Sequence, residues 1–394
     1  MKQGWEIRRL EEICLRITDG SHFSPKEDLN GKYPMLSVKD MGVTCFSYDN
    51  CKYINEDDYK TLVANGCKPS IDDVLVAKDG SYLKTAFVQR VEKEQVILSS
   101  IAILTPNKTI LNPDFLAFFF KSHHTKDIVE RNYLTGTAIK RVILKGFRKI
   151  SLSVPPIAEQ EKIVAELDCL SGIIEKKKQQ LKELDNLAQS IFYEMFGDPV
   201  ENDKGWEVKK IGEVCIVERG GSPRPINAFI TDDENGVNWI KIGDATEGSR
   251  FITSTKEKII PEGVRKSRMV YKGDFILSNS MSFGRPYIMG IDGCIHDGWL
   301  VLRDKDSVFD KTYLYYYLGS SHVYQEFKRL AVGGVVNNLN SELVRGVRVA
   351  IPSFSVQQDF ASKIESIEQQ KELIAQSIKE TETLFNSRMD YYFN

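Results

Sequence analysis

The chain has 394 residues, of which 42% are hydrophobic and 27% charged, so it is too long for one compact core and predicts two domains with connecting elements. It has no long apolar run, no apolar signal-peptide core, and no CxxC pair among its seven cysteines. We therefore expect a cytoplasmic protein without a membrane span, a disulfide framework or a zinc site. The net charge of −2 gives no overall indication of nucleic-acid binding.

The opening phrase of the chain returns in its second half. Residues 4–10 (GWEIRRL) and 205–211 (GWEVKKI) lie 201 positions apart. Other landmarks recur in the same order at offsets of 197 to 201, namely FLAFFFKS at 115–122 with YLYYYLGS at 313–320, and Pro155 and Gln160 with Pro352 and Gln357. Landmarks that keep their order predict a duplicated fold. The alternative is two unrelated domains that share a Gly-Trp start.

Each half begins with about 150 residues of short strand-like runs separated by turn signals. Residues 74–77 precede Asp79-Gly80, and residues 275–277 precede Asn279, which is typical of strands followed by turns. An aromatic segment of helical length follows at 113–132 and at 311–330. Its aromatic side chains have helical spacing, so we expect them to face the core rather than a ligand.

A long helix with a heptad repeat completes each half. Its seam positions step by alternating four and three residues, and the same register returns 197 residues later. We expect the polar seam residues Lys177, Lys371 and Arg388 to fix the register at some cost in stability. The helices are expected to pack on each other and to offer the rest of the stripe to partners, while the alternative is that each packs on its own domain. The apolar seam residues, predicted to bind partners, are Ile163, Leu167, Leu170, Ile174, Leu181, Leu184, Phe360, Ile364, Ile367, Ile374, Ile378 and Phe385.

These elements predict an α+β fold. It consists of two similar mixed α/β modules at 1–155 and 200–352, and of two long helices at 156–199 and 353–394 that pack as an antiparallel coiled coil. Residues 163–195 as a helix would span about 50 Å. That length exceeds one turn of DNA, which is about 34–36 Å.

Two segments concentrate positive charge. Residues 131–149 hold six Lys or Arg and no acidic residue, and residues 256–272 hold six against two Glu. DNA responds to the local field rather than to the net charge, so these segments are candidate phosphate-facing surfaces. The other interpretation is a solvated surface with accidental clustering, and charge alone leaves the two equally open.

Catalytic signatures are missing from the sequence. It contains no GxGxxG or GxxxxGK[ST] phosphate loop, no HExxH, and no Asn-Pro-Pro-aromatic stretch of an adenine methyltransferase. The adjacent carboxylates Asp72-Asp73 and Asp232-Asp233 are expected to be turn residues rather than an acid/base pair. We therefore expect no catalytic residue and no metal ligand in this chain.

The ordered motifs resemble the specificity subunits of type I restriction-modification systems. The resemblance covers nearly the whole chain and lies in the duplicated Gly-Trp start, TDGSH at 18–22, RGGSPR at 219–224, NPDFL at 112–116, Gly136-Thr137 with Lys140, and PPIAEQEKI at 155–163. The second half departs from the pattern, because PSFSVQ at 352–357 lacks the double proline and Gly334-Val335 replaces Gly136-Thr137.

The resemblance implies two target recognition domains, each of which reads one half of a bipartite double-stranded DNA site. It also implies that modification subunits dock on the helices and methylate adenine with S-adenosylmethionine, and that ATP-dependent restriction subunits join them. No cofactor is then expected in this chain, since S-adenosylmethionine, ATP and magnesium belong to the partner subunits. The helices would act as a ruler between the two readers.

Residue types suited to phosphate contact or base readout give the candidate DNA-binding residues. They are Ser21, His22, Lys84, Lys140 and Arg141 in the first module, and Arg219, Ser222, Arg224, Asn279, Ser280, Arg285 and Asn338 in the second. Gly80, Gly220 and Gly221 are expected to serve turns rather than contacts. Two other functions remain open: a non-enzymatic assembly scaffold built on the helices, and a lone enzyme such as a nuclease.

Overall fold

A computed structural model describes residues 4–136, 140–246, 248–279, 284–331 and 339–394. The chain divides into two compact units, Met1–Lys178 with Gln376–Asn394, and Gln179–Ala375. Each unit therefore combines one module with part of each long helix. The module and helix boundaries given above stay a prediction.

The first module is built on an antiparallel sheet in the order β2-β8-β5-β6, beside a three-stranded sheet in the order β4-β3-β7. Strand β1 pairs with β11, so the two ends of the module close on each other. Its elements are β1 (Glu6–Arg9), α1 (Leu10–Ile13), β2 (Cys14–Asp19), β3 (Tyr33–Leu36), β4 (Lys52–Ile54), α2 (Glu56–Ala64), β5 (Val74–Ala77), β6 (Ala86–Val88), β7 (Val96–Ile97), β8 (Ile101–Pro106), α3 (Pro113–Lys121), α4 (His123–Asn132), β9 (Leu134–Thr135), β10 (Arg141–Val142), α5 (Leu144–Lys149) and β11 (Ser151–Val154).

The second module has two five-stranded sheets, in the orders β13-β22-β19-β20-β16 and β14-β17-β15-β21-β18, and is closed by the pair β12 and β23. Its elements are β12 (Glu207–Lys210), α7 (Ile211–Val214), β13 (Cys215–Arg219), β14 (Ile230–Thr231), β15 (Val237–Ile240), β16 (Phe251–Ile252), β17 (Glu257–Ile259), α8 (Pro261–Val264), β18 (Arg268–Val270), β19 (Phe275–Ser278), β20 (Pro286–Met289), β21 (Gly293–Ile295), β22 (Trp299–Asp304), α9 (Lys311–Gly319), α10 (Ser321–Ala331), α11 (Ser341–Gly346) and β23 (Arg348–Ile351).

Both strands predicted from the sequence are confirmed. They are β5 and β19, and all four residues of each are buried. Each strand has a neighbour on both edges. A strand enclosed in this way tolerates apolar residues on both faces, which is why its sequence shows a continuous apolar run instead of alternation.

Each predicted aromatic helix is in fact two helices. The backbone turns extended at Ser122 (φ −70°, ψ 144°) and at Ser320 (φ −65°, ψ 147°), which ends α3 and α9. The Ser122 hydroxyl accepts a hydrogen bond from the Thr125 amide at 3.2 Å and so caps α4. The expectation that the aromatic residues face the core is confirmed for α3, where every residue from Phe115 to Phe120 is buried.

The two long helices are α6 (Ile157–Phe196) and α12 (Phe354–Phe393), of 40 residues each. In the first unit, Ile163 and Leu167 share a core with Met389 and Phe393. In the second unit, Phe192 of α6 shares a core with Phe360. The start of each helix thus packs beside the end of the other, which confirms the antiparallel pair. The long helices therefore pack on each other and also on the modules, because the same cores include the helices and strands of each module.

The polar seam residues are paired between the helices. Lys177 Nζ donates to Ser377 Oγ at 2.5 Å and to Thr381 Oγ1 at 3.3 Å. Lys371 Nζ lies 2.7 Å from Asp185 Oδ1. These contacts hold one register, since a shift by one residue would separate the partners.

A third polar seam pair lies near the end of α12. Arg388 donates from Nε and Nη2 to the two carboxylate oxygens of Glu166, at 2.5 and 3.0 Å. The hydrogen bond from Arg388 lowers the pKa of Glu166, and the Tyr392 hydroxyl, 2.6 Å away, acts in the same direction.

A buried glutamine joins each module to the helix that follows it. The Gln160 side-chain amide donates to Pro155 O at 2.7 Å and Ile110 O at 2.8 Å, while its oxygen accepts from the Asn112 amide at 2.8 Å. Gln357 makes the same three hydrogen bonds: its amide donates to Pro352 O at 2.9 Å and to Val308 O at 3.1 Å, and its oxygen accepts from the Asp310 amide at 2.8 Å. The paired Pro and Gln of the sequence repeat therefore mark one structural joint used twice.

Candidate nucleic-acid interface

In each module a glycine directly follows the first strand of a large sheet: Gly20 follows β2, and Gly220 follows β13. The backbone of another segment passes close to each glycine. A Cβ added to Gly20 would lie 2.1 Å from Ile97 O, and one added to Gly220 would lie 2.1 Å from His296 O. No other residue fits at that distance. These two corners place the loops after β2 and β13, which carry Ser21 in the first module and Ser222 in the second.

In the second module, four predicted DNA-binding residues contact a single residue, Asp297, through its carboxylate or its backbone carbonyl. Ser222 Oγ donates to Asp297 Oδ1 at 2.7 Å, and Arg224 Nη2 lies 3.6 Å from Oδ2. Arg219 Nε and Asn279 Nδ2 donate to Asp297 O at 3.0 and 2.9 Å. The structure thus brings together residues that the sequence separates by up to 78 positions. We call these five residues the Asp297 cluster.

The members of the Asp297 cluster differ in exposure. The Arg224 side chain is 80% exposed, so its guanidinium can reach a phosphate or a base edge. Asn279 is only 2% exposed and its amide holds the loop, so it is a positioning residue for the others. The hydrogen bond from Ser222 lowers the pKa of Asp297, and the Arg219 charge contributes in the same direction. The carboxylate therefore stays ionised and orients the cations around it.

In the first module, the corresponding loops meet around a lysine that the sequence analysis missed. Lys78 Nζ lies 3.2 Å from Asp19 Oδ2 and 3.3 Å from Asp79 Oδ1, with its side chain 5% exposed. Asp79 forms an isolated β-bridge with Arg141. His22 lies 3.3 Å from Asp19 and is largely exposed. A buried charge needs such pairing, so Lys78 ties the loop after β2 to the loop after β5.

The remaining predicted residues fall in different places. The Gly80 amide donates to Lys140 O at 2.8 Å, which sets Lys140 beside Arg141. Ser21 Oγ donates to Phe23 O at 2.6 Å and shapes its own loop. Lys84 is exposed beyond β5, and Arg285 is exposed beside β20 and apart from the Asp297 cluster. Ser280 and Asn338 lie outside the described residues.

The basic segment 131–149 is an exposed and uncompensated patch. All six of its cations are exposed, and within the described part of the chain none lies within 4.0 Å of a carboxylate. By contrast, Arg268 in the segment 256–272 pairs with Glu218 at 3.1 Å. We call the first segment the basic patch; its cations are Arg131, Lys140, Arg141, Lys145, Arg148 and Lys149.

Comparison with known proteins agrees with the duplicated architecture. The sequence model of a family described as the type I restriction modification DNA specificity domain matches twice, at residues 2–186 and 203–383. The chain belongs to this family. The matches leave few residues outside the two copies, so the membership applies to both halves.

Members of this family from an archaeon and a bacterium are distant relatives. The MjaVIII specificity subunit of a type I restriction enzyme from Methanocaldococcus jannaschii is 24% identical over 392 residues, covering 93% of this chain and 86% of the relative. A putative type I specificity subunit, HindORF215P of Haemophilus influenzae, is 24% identical over 330 residues, covering 81% and 80%.

Solved structures of the family share the fold. A chain from a structure concerned with complex assembly and conformational transition of the type I R-M system has a TM-score of 0.64 at 20% identity, with 100% of this chain and 98% of that chain covered. The type I restriction-modification S subunit from M. genitalium has a TM-score of 0.54 at 13% identity, with 99% and 96% covered.

The described residues contain no helix that is both long and apolar enough to cross a membrane. Within the same ranges, no three His, Cys, Asp or Glu side chains are grouped as a metal ion would need.

Proposed function

We propose that this chain is the DNA-reading subunit of a type I restriction-modification complex, in which each module binds one half of a bipartite site. The observation that carries the proposal is the basic patch, whose six exposed cations lack carboxylate partners in the described ranges. Phosphate contacts from Lys and Arg supply most of the sequence-independent affinity for DNA. The Asp297 cluster supports the same role in the second module, because it directs Arg224 outward.

The helix pair supports a measuring role. A helix of 40 residues is about 60 Å long at ~1.5 Å per residue. That is more than one turn of DNA, which measures about 34–36 Å. The pairings of Lys177, Lys371 and Arg388 keep the two helices in one register. We propose that this register sets the spacing between the two half-sites.

The outer faces of the same helices are available for docking of modification subunits. The apolar seam residues predicted to bind partners are buried or half-buried, because they pack within each unit. A partner would reach the exposed apolar residues instead, for example Leu187 (47% exposed) and Leu373 (69%). We propose that S-adenosylmethionine, ATP and magnesium bind in the partner subunits, that this chain is not itself an enzyme, and that the complex works in the cytoplasm.

The recognised site is found first, by mapping methylated adenines in cells with and without this chain. Binding of the full chain to a duplex with that site is then measured by fluorescence anisotropy as a function of salt. The double variant Lys140→Ala with Arg141→Ala should flatten the salt dependence by about 0.9 units of slope per lost phosphate contact.

A matched control removes two cations that already have carboxylate partners. In Lys60→Ala with Lys108→Ala, the lost charges pair with Glu56 and Asp72 at 2.7 and 2.8 Å. This control should keep the original slope. Equal slopes in both double variants would show that the basic patch does not contact DNA. They would favour the assembly scaffold.

The spacing role is tested by lengthening both helices together. The pairings of Lys177 with Ser377 and of Lys371 with Asp185 fix the antiparallel register, so heptads belong after Gln179 and after Ala375. One heptad adds about 10 Å, or roughly three base pairs at ~3.4 Å each. The methylated site should keep both half-sites and gain a longer spacer. An unchanged spacer would contradict the measuring role.

A further inference from the structure

The second unit contains a cleft of about 880 Å³, whose lining includes one predicted DNA-binding residue, Arg285. Strand β20 and helix α9 form one wall, and segments of α6 and α12 form the other. Six of its lining residues are aromatic: Phe192, Tyr193, Tyr287, Tyr315, Tyr316 and Tyr324. The volume lies within the range of small-molecule sites, about 300–1,000 Å³.

Arg250 brings two unsatisfied N–H donors to this cleft, and its guanidinium lies over the Phe251 ring at 4.9 Å. Its Nε and Nη1 atoms are buried and have no hydrogen-bond partner in the described ranges. The side chain lies near the half-buried Tyr315 and Tyr316, whose pKa values its positive charge lowers against the larger opposite effect of burial. Buried N–H donors without an acceptor are costly unless a ligand supplies one.

The other charges of the cleft favour an anionic ligand. Lys371 is held by Asp185 at 2.7 Å and by Glu368 at 3.1 Å, so its charge is already balanced by these carboxylates. The lining residues contain three cations, Lys371, Arg250 and Arg285, against those two carboxylates, which leaves one net positive charge. Arg250 is thus the charge that an incoming oxyanion would meet.

The corresponding cavity in the first module is much smaller. There the cavity is only about 150 Å³ and is lined by Ala117, Phe118 and Lys121 of α3. Their counterparts in the repeat, 198 positions later, are Tyr315, Tyr316 and Gly319. Lys121 lines this cavity, with its Nζ 5.4 Å from the centroid of the Phe118 ring. The second module therefore has space where the first has a lysine.

We propose that this cleft binds a nucleoside phosphate. Arginine matches the geometry of a phosphate oxyanion, and the tyrosine rings provide planar surfaces on which a nucleobase stacks. A single inorganic anion would leave most of the volume and all of the aromatic wall unused. The site would bind a small nucleotide and not duplex DNA, so this proposal does not depend on the proposed function.

The test measures binding of the four nucleoside 5′-monophosphates to the full chain by calorimetry, with the parent nucleosides and inorganic phosphate as probes of the two halves of the ligand. At least one nucleotide should bind more tightly than its nucleoside and than phosphate, each by tenfold or more. Arg250→Met should weaken that binding at least tenfold. This variant should fold, because it removes two buried donors that have no acceptor in the described ranges.

Gly319→Lys copies the residue of the first module. A Cβ at Gly319 would lie 3.5 Å from Pro286 Cγ, which is an ordinary contact, and the longer side chain would extend into the cleft. It should abolish nucleotide binding, while Arg265→Met, at an exposed arginine that does not line the cleft, should leave it unchanged. Failure of all four nucleotides, equally tight binding of phosphate alone, or full binding by Arg250→Met would each overturn the proposal.

Discussion

Replacing Gln357 by leucine should detach the second module from helix α12. The side chain is fully buried and satisfies three backbone groups, Val308 O, Pro352 O and the Asp310 amide. Leucine has a similar volume but no polar atom, so all three groups lose their partner. A buried polar group left without a hydrogen bond costs about 1–3 kcal/mol. We therefore expect the free energy of unfolding to fall by at least about 3 kcal/mol.

Tryptophan fluorescence during urea unfolding reads out this change. Three of the four tryptophans, Trp206, Trp239 and Trp299, lie in the second unit, so most of the signal follows that unit. The matched control is Gln369→Leu, at an exposed position of the same helix, which should change the free energy by less than about 0.5 kcal/mol. A loss below about 1 kcal/mol for Gln357→Leu would refute the interpretation of this residue as a structural joint.

Three further outcomes follow from the described contacts. Gly220→Ala places a Cβ 2.1 Å from His296 O, so its melting temperature by circular dichroism should fall by several degrees; an unchanged value would contradict the close approach. Asp297→Ala removes the carboxylate that holds Ser222 and Arg224, so affinity should change for the half-site of the second module only, in duplexes with one half-site scrambled. Arg388→Met should raise the pKa of Glu166, measured by NMR titration. Because the pKa of Glu166 is lowered in the folded protein, this carboxylate stabilises the fold at pH values above its unfolded pKa. That stabilisation is lost as the pH falls through the folded pKa.

The heptad seam could be predicted almost completely from the sequence. Its period is local information, and every seam position from Ile163 to Tyr392 is buried or half-buried. The break at Ser122 was missed because no proline or glycine marks it, and the buried residues Thr125 and Val129 continue at helical spacing beyond it. Only the extended backbone of that serine, whose hydroxyl caps the next helix, ends α3. The signal was the serine itself, a residue that favours helix starts.

The sites could be predicted less well, for a physical reason. Asp297 organises the second module through contacts with residues 75 and 78 positions away, and no spacing rule encodes them. Lys78 was missed because a lysine next to a strand is normally exposed. Here two carboxylates make its burial possible. Residue type indicated which side chains can bind DNA, but tertiary pairing decides which of them face outward.

Most of the first unit is synthesised well before the residues of α12 that complete its core. The first unit includes the last nineteen residues of the sequence, Gln376–Asn394, and its core contains Phe393, whose ring centroid lies 5.1 Å from that of Phe115. A ribosome completes the first module long before it makes that phenylalanine. The apolar surface of the module therefore stays open until the end of α12 has been made. A nonsense mutation near residue 375 would damage the earliest part of the protein to be made.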